Sequence, residues 1–600
     1  MELDATREAE HVPLNSYLYQ PLPRDGSIRY IVLEPGQGDS AIKCSLHVSP
    51  LAKMPFFAAI SYVWGSPEKS HMISCNEMRM AITENLRVAL LQVRHSTEPL
   101  TLWADGICIN QDDNVEKGHQ VALMGALYAR ADRVLVCLGS DPDYEEEAEA
   151  VSGLVSDVSA MVLRTLENIE ITWDTFPFPD PDDPLLTDER WHAMRVLFDQ
   201  PWFERGWVVQ EVWLGRSPRL LWSGRDIGWL EIVRSYLWMN TRAAEIYARH
   251  ALTLLTMHRT QYGLRYPKEA MPLLPEKPSE WFPGVMDVAR PLKLTDQRDR
   301  IYAFMSLAAP GHMPSTLQPD YTKAYLDVYC DFATEYINSR KDLGILYLVD
   351  HDETTFSNDY PTWVPRWDRR VALENLPPFS HQIPGPVLAR AHGGVLRVRG
   401  IVVGSIKFVS SEIDWVKTGL SNIVAIMRDL ANTGIRPPYL DEVMPAVLAF
   451  ACALVGGLQP ASRKVWKSDR AAYILRLIEA DTPRKSSVAN RFKNEAEEGD
   501  TPMFHSWVRA YGHTRRVIQT DRGHFGIAPG IVEEGDLCCA IAGAWTLLVI
   551  RKSQDGRWKL VGPAYIASDK GTIQSEPIGC GDKRNLDWQE WGPVQEISIC

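Results

Sequence analysis

Three short segments combine tryptophan with polar or charged side chains, and these side chains are of types that could do chemistry. They are residues 59–65 (AISYVWG), 102–111 (LWADGICINQ) and 205–211 (RGWVVQE). The candidate site residues in these segments are Glu211 together with Ser61, Tyr62, Trp64, Gly65, Trp103, Asp105, Asn110, Gln111, Arg205, Trp207 and Gln210.

The same residues also admit purely structural roles. Glu211 could pair with Arg205 or Arg133 instead of acting on a ligand. Asp105 could cap the turn that follows it, and the amides at 110–111 could bind backbone in their own loop. The three tryptophans could be core or interface aromatics rather than ligand platforms.

Common catalytic signatures are absent from the sequence. It contains no glycine-rich dinucleotide or phosphate loop, no HExxH zinc helix and no GxSxG nucleophile elbow. Its histidines are isolated, so we expect no metal site. No cofactor is indicated by these residues alone.

Composition limits the possible partners and the compartment. The 600 residues carry a formal net charge of −14, which argues against a nucleic-acid binder because phosphate contacts need a basic face. The ten cysteines include no CxxC, and the first residues have no apolar signal sequence, so we expect a cytoplasmic location. The apolar run Val443 to Leu458 predicts a buried helix rather than stable membrane insertion.

The elements that must position these side chains alternate along the first third of the chain. Apolar runs at 56–63, 100–105 and 134–138 predict strands. Between them, Thr83 and Asp113 each begin a helical pattern, and Glu116 extends the second start into a sequence like a capping box. Strands that alternate with helices predict a three-layer α/β domain with a central parallel sheet. Ligands bind at the carboxyl ends of the strands in such sheets.

The rest of the chain gives a coarser pattern. Beyond about residue 240 we expect a mostly helical region, and strand-like runs from residue 515 onward, separated by turn residues, predict a small C-terminal antiparallel β unit. The predicted division is an N-terminal extension at 1–49, an α/β domain at 50–240, a helical accessory region at 241–400 and an α+β accessory region at 401–600.

Together, the three tryptophan segments resemble the fungal heterokaryon incompatibility (HET) domain. The resemblance lies in residues 57–65, 102–111, 116–128 and 205–211, which occur in the order typical of that family. This chain departs from the family pattern at Phe57, where tyrosine is frequent, and at Gly106, where alanine is usual. Residues 296–303 (DQRDRIYA) look like a segment that follows the domain in many such proteins.

The resemblance implies a fold similar to Toll/interleukin-receptor (TIR) domains. It also implies an effector of heterokaryon (vegetative) incompatibility, which would signal non-self recognition and programmed cell death through protein–protein interaction. Its partners would be other incompatibility proteins, or further copies through the HET domain. An alternative is a TIR-like NAD hydrolase, with NAD as substrate and Glu211 as the essential carboxylate. A third is regulation of a metabolic gene cluster.

Overall fold

The protein is described here from a computed structural model, which forms two compact units, Met1–Ala324 and Tyr325–Cys600. The four-part division predicted from the sequence stays a prediction. The structure describes residues 16–246, 282–308, 317–369, 386–438, 446–458, 463–481, 487–567 and 591–600, without residues 25, 169, 172, 174, 244 and 415 but with residues 376 and 383.

The first unit contains a nine-stranded sheet with the strand order β5-β4-β2-β1-β6-β3-β7-β8-β9. The first two strands come from the segment predicted to be an N-terminal extension. The strands are β1 (Ser27–Leu33), β2 (Lys43–Pro50), β3 (Ala58–Tyr62), β4 (His71–Cys75), β5 (Met78–Ile82), β6 (Leu100–Trp103), β7 (Arg133–Cys137), β8 (Pro218–Trp222) and β9 (Arg225–Gly228).

The centre of this sheet is parallel, as predicted. Strand β3 pairs in parallel with β6 and β7, and β7 pairs in parallel with β8. Outside this centre the sheet is mixed, because β1 runs antiparallel to both β2 and β6, and β9 runs antiparallel to β8. The Ser223–Gly224 connection explains the last of these pairings, since two residues with positive φ form a tight hairpin, which joins antiparallel strands.

Helices connect and flank these strands. Thr83 caps α1 by accepting a hydrogen bond from the Leu86 N–H, and Asp113 caps α3 by accepting from Val115 and Glu116, so both predicted helix starts are confirmed. Among the described residues of this unit, the helices are α1 (Glu84–Val93), α2 (Asp105–Cys108), α3 (Asn114–Arg130), α4 (Glu145–Leu166), α5 (Trp191–Phe198), α6 (Trp207–Leu214), α7 (Trp229–Arg242), α8 (Phe282–Val288) and α9 (Asp299–Tyr302).

The second unit contains an eight-stranded, mainly antiparallel sheet. Strand β11 is long enough, at 19 residues, to pair with both β12 and β14, and these two pairings contain three register shifts. The predicted C-terminal antiparallel unit is confirmed, and it is larger than expected because β10 already begins at Ala389. The strands are β10 (Ala389–His392), β11 (Val395–Ile413), β12 (Arg515–Thr520), β13 (Phe525–Pro529), β14 (Leu537–Ile541), β15 (Leu547–Lys552), β16 (Trp558–Ile566) and β17 (Gln595–Ile599).

Most helices of the second unit lie in the chain between β11 and β12. The apolar run predicted as a buried helix is α13, in which Phe450 and Leu454 are buried; residues 443–445 of that run lie outside the described residues. Across the described ranges, the structure contains no helix with the length and apolar character needed to cross a membrane. The helices are α10 (Tyr325–Arg340), α11 (Glu353–Ser357), α12 (Leu420–Asn432), α13 (Ala446–Leu454), α14 (Arg463–Asp481), α15 (Ser487–Lys493) and α16 (Thr501–Gly512).

A buried ion pair joins β1 to the first turn of α3. The two terminal guanidinium nitrogens of Arg29, Nη1 and Nη2, donate to the Glu116 carboxylate at 2.6 and 2.9 Å. The side chains of Arg29 and Glu116 are 2% and 9% exposed. The same carboxylate accepts from the Asn110 N–H at 2.7 Å. Glu116, which the sequence indicated only as part of a helix start, therefore ties the loop 108–111 to the sheet.

We predict that Glu116→Gln destabilises the first unit by about 3 kcal/mol, because it leaves the buried Arg29 cation without a counter-charge. The exposed pair Arg219–Asp226 provides the control, and Asp226→Asn should change the unfolding free energy by less than about 1 kcal/mol. Chemical denaturation of the full chain measures both. Equal effects of the two variants would contradict a structural role for the buried pair.

Candidate functional site

The carboxyl ends of β3 and β6 lie at one edge of the sheet, because the two strands are parallel neighbours. Residues 61–65 form the end of β3 and the start of the loop that follows it. Asp105 begins α2 shortly after the end of β6. Helix α6 brings the third tryptophan segment to the same place. The structure thus brings together parts of all three segments, although about 150 residues separate the first from the third.

Glu211 is bound to the end of β3 rather than to an arginine. Its carboxylate accepts a hydrogen bond from the Ser61 hydroxyl, and that hydroxyl in turn accepts from the indole N–H of Trp202 at 2.8 Å. Glu211 is 3% exposed and Ser61 is 1% exposed. Arg133 lies exposed at the start of β7. The direct partner of Glu211 is therefore a residue that the structural alternatives did not include.

Burial raises the pKa of Glu211 to about 7. The Arg205 guanidinium and the Ser61 hydroxyl act in the opposite direction because both favour the carboxylate, whereas the charge of Asp105 raises the pKa further. The Glu211 carboxyl group therefore titrates near neutral pH. A carboxyl group with this property can serve as an acid or as a base.

Asp105 is the second carboxyl group of the site. It accepts from the Trp64 indole N–H at 2.8 Å and from the Gly106 N–H at 2.7 Å, and the Tyr62 hydroxyl also bonds to it. Burial raises the pKa of Asp105, and the nearby charge of Arg205 opposes the shift. A Cβ at Gly106 would lie 2.7 Å from the Tyr62 hydroxyl oxygen, so alanine at this position would require the tyrosine side chain to shift.

Arg205 provides the positive charge for both carboxyl groups. Its guanidinium group donates to the backbone carbonyl of Tyr62, and its charge favours the ionised forms of Asp105 and Glu211. One cation beside two buried acids cannot neutralise both. The site therefore favours a state in which one of the two acids keeps its proton.

A cavity of about 210 Å³ lies next to this cluster, at the carboxyl ends of β3 and β7. Tyr62 and Trp202 line it and connect it to the acids, through the bonds to Asp105 and to Ser61. Neither Glu211 nor Asp105 lines the cavity itself. The lining residues are Tyr62, Val63, Asn85, Val88, Ala89, Cys137, Leu138, Gly139, Gln200, Pro201 and Trp202.

The remaining amide and glycine candidates hold the loops of the site. Gln111 donates to the Asp105 carbonyl at 3.0 Å, and Asn110 accepts from the Asp112 N–H at 3.3 Å, so both bind backbone. Gly65 has a φ of +67°, and a Cβ there would lie 2.5 Å from the Asn85 amide nitrogen. These residues shape the chain around the carboxyl groups.

Three further candidates lie outside the carboxylate cluster. Trp103 is buried in the core, edge-on to Tyr128. Gln210 is 1% exposed, and its amide nitrogen has no hydrogen-bond partner among the described residues. Trp207 shares α6 with Glu211, but its indole N–H donates to Asp299 at 3.0 Å instead of joining the cluster.

Sequence reasoning missed Trp202, Asn85 and Asp299. Trp202 and Asn85 line the cavity, and Asp299 holds the tryptophan of the third segment. The segment 296–303 gave a signal for Asp299, because its residue pattern resembled one that follows HET domains. Within the ranges that the structure describes, no group of three or more His, Cys, Asp or Glu side chains could hold a metal ion.

Comparison with known proteins identifies the class to which this fold and site belong. A family model described as heterokaryon incompatibility protein (HET) matches residues 57–211, so the resemblance of the tryptophan segments to this family is confirmed. Heterokaryon incompatibility protein 6, OR allele, of Neurospora crassa is 25% identical over 625 aligned positions, which cover 87% of this chain and 90% of that protein. No solved structure matches the chain.

We predict that Glu211→Gln removes a component of stability that depends on pH. Because the folded-state pKa of about 7 exceeds the ordinary value of 4.5, protonated Glu211 stabilises the fold below about pH 4.5. This contribution, about 2–3 kcal/mol, is lost as the pH rises through 7. The unfolding free energy is measured at pH 5 and pH 8 in both the wild type and the variant. Because Asp105 and Asp299 are present in both proteins, the difference between the two pH dependences belongs to Glu211. Identical pH dependence in both proteins would contradict the assignment.

Proposed function

We propose that this protein is an effector of heterokaryon (vegetative) incompatibility, which turns non-self recognition in the fungal cytoplasm into a signal for programmed cell death. The observation that carries the proposal is the HET domain at residues 57–211, supported by an incompatibility protein alignable over 87% of the chain. A TIR-like arrangement of the domain is part of the proposal. The parallel strands β6, β3, β7 and β8 support it.

The signal would pass through protein–protein contact, either with other incompatibility proteins or between HET domains. Trp64 offers a contact point because it is 36% exposed while its indole N–H is fixed by Asp105. Tryptophan held rigid at a surface contributes contact area at little entropic cost. The net charge of −14 argues against a nucleic-acid partner.

A second candidate function is NAD hydrolysis. It is favoured because Glu211, a carboxyl group that titrates near pH 7, lies close to a cavity. In this role Glu211 would stabilise the positive charge that develops on the ribose as the bond to nicotinamide breaks. Two observations weigh against it. Glu211 does not line the cavity, and about 210 Å³ is smaller than the ~300–1,000 Å³ typical of sites for drug-sized ligands. We therefore place contact signalling first.

Expression of full-length Glu211→Gln in a fungal strain separates the two functions. Signalling by contact predicts that the variant arrests growth as the wild type does, with cellular NAD unchanged in both. Hydrolysis predicts that wild type depletes NAD and that the variant loses both NAD depletion and growth arrest, a drop in activity of at least about 100-fold.

Glu146→Gln serves as the matched control, because it changes the same residue type at an exposed position on α4. It should behave as the wild type under either function. Wild-type protein that leaves growth and NAD unaffected, in strains with different incompatibility backgrounds, would overturn both proposals.

A further inference from the structure

The chain that follows the matched HET region contacts the site from outside it. We call residues 293–308 and 317–321 the downstream segment. Its first residue, Lys293, accepts from the Gly206 N–H at 3.0 Å and donates its own N–H to the Glu204 carbonyl at 2.6 Å. Lys293 and Arg205 thus form a parallel bridge, and the downstream segment runs beside Arg205 just before α6 begins.

Asp299 makes the central contact of the downstream segment. Its carboxylate accepts from the Trp207 indole N–H at 3.0 Å and from the Tyr321 hydroxyl at 2.5 Å, and the residue is 6% exposed. Burial raises the pKa of Asp299 to about 6, while the two donors oppose the shift. A buried carboxylate with one donor on each oxygen fixes both partners.

Glycines on the facing elements allow the downstream segment to lie close. A Cβ at Gly206 would be 2.7 Å from the Leu294 side chain, and one at Gly125 of α3 would be 2.3 Å from the Ser306 side chain. At Gly118, also on α3, a Cβ would be 2.6 Å from a backbone carbonyl of the segment. Alanine at these positions would push the segment away, so this contact is part of the first unit's packing.

We propose that Asp299 is a positioning residue for the carboxylate site: by holding Trp207 it fixes the start of α6, and so places Arg205 and Glu211 against the end of β3. The proposal bears on the second candidate function, NAD hydrolysis, because that is the function in which Glu211 is a working group of the domain. Trp207 is the first residue of α6 and Glu211 lies about one turn further on. A shift of this first turn moves both groups.

Loss of the Asp299 carboxylate has a specific physical consequence. The Trp207 and Tyr321 donors lose their shared acceptor, and α6, which is no longer held at Trp207, can move. Movement of α6 admits water to Glu211. Because burial is what raises the pKa of Glu211, hydration lowers that pKa toward its ordinary value.

The test measures the protonation of Glu211 in the full chain, from the infrared carbonyl band of the protonated carboxyl group. The spectrum of each protein is compared with that of the same protein carrying Glu211→Gln, so that the difference contains only the Glu211 band. We expect Asp299→Ala to lower the midpoint of the Glu211 titration by about one pH unit. Trp207→Phe, which keeps an aromatic side chain but removes the N–H donor, should shift the midpoint in the same direction.

Asp296→Asn is the matched control, because Asp296 lies in the same segment but pairs with Arg298 at 2.7 Å rather than with α6. It should leave the Glu211 midpoint unchanged. An unchanged midpoint in folded Asp299→Ala and Trp207→Phe would overturn the proposal, as would an equal shift in Asp296→Asn. If Asp299→Ala fails to fold, Trp207→Phe decides alone.

Failure of the proposed function would be distinguishable from failure of this inference. Wild-type protein without effect on growth, together with a shifted Glu211 midpoint in Trp207→Phe, would overturn the incompatibility role and support the positioning role. Growth arrest by the wild type, together with an unchanged Glu211 midpoint in both variants, would support the incompatibility role and overturn the positioning role.

Discussion

The arrangement of the site depends on the parallel pairing of β3 with β6. Parallel neighbours end at the same edge of a sheet, so Ser61 and Asp105 emerge close together although more than 40 residues separate them. Pairing of β3 with β7 at its other side opens the cavity at that edge. The Ser61–Glu211 and Trp64–Asp105 contacts follow from these pairings, together with the position of α6.

The positive charge of Arg205 affects both carboxyl groups at this edge of the sheet. Arg205 faces both acids, and desolvation makes a second buried negative charge costly. The result is a carboxyl group, Glu211, that is neither permanently ionised nor permanently neutral near pH 7. This property suits a proton-transferring group, and of the two functional candidates it is NAD hydrolysis that uses it.

The working unit of the first domain is larger than the matched HET region. The family match ends at Glu211, yet α6 is contacted through Gly206 and Trp207 by residues beyond 290. Strands β1 and β2, which precede the match, belong to the same sheet, and Arg29 on β1 holds the first turn of α3. Segments on both sides of the matched region therefore support the carboxylate site.

Local patterns in the sequence determined the parts of this protein that depend on neighbouring residues. The three central strands, the caps Thr83 and Asp113 and the identity of the HET segments could all be predicted, because side-chain periodicity and capping act within a few residues. The tertiary structure alone decided the antiparallel flanks of the sheet, the Ser61–Glu211 bond and the Trp207–Asp299 bond. These join residues that lie far apart in the chain, and their pairing depends on strand order and helix position, which no local pattern encodes.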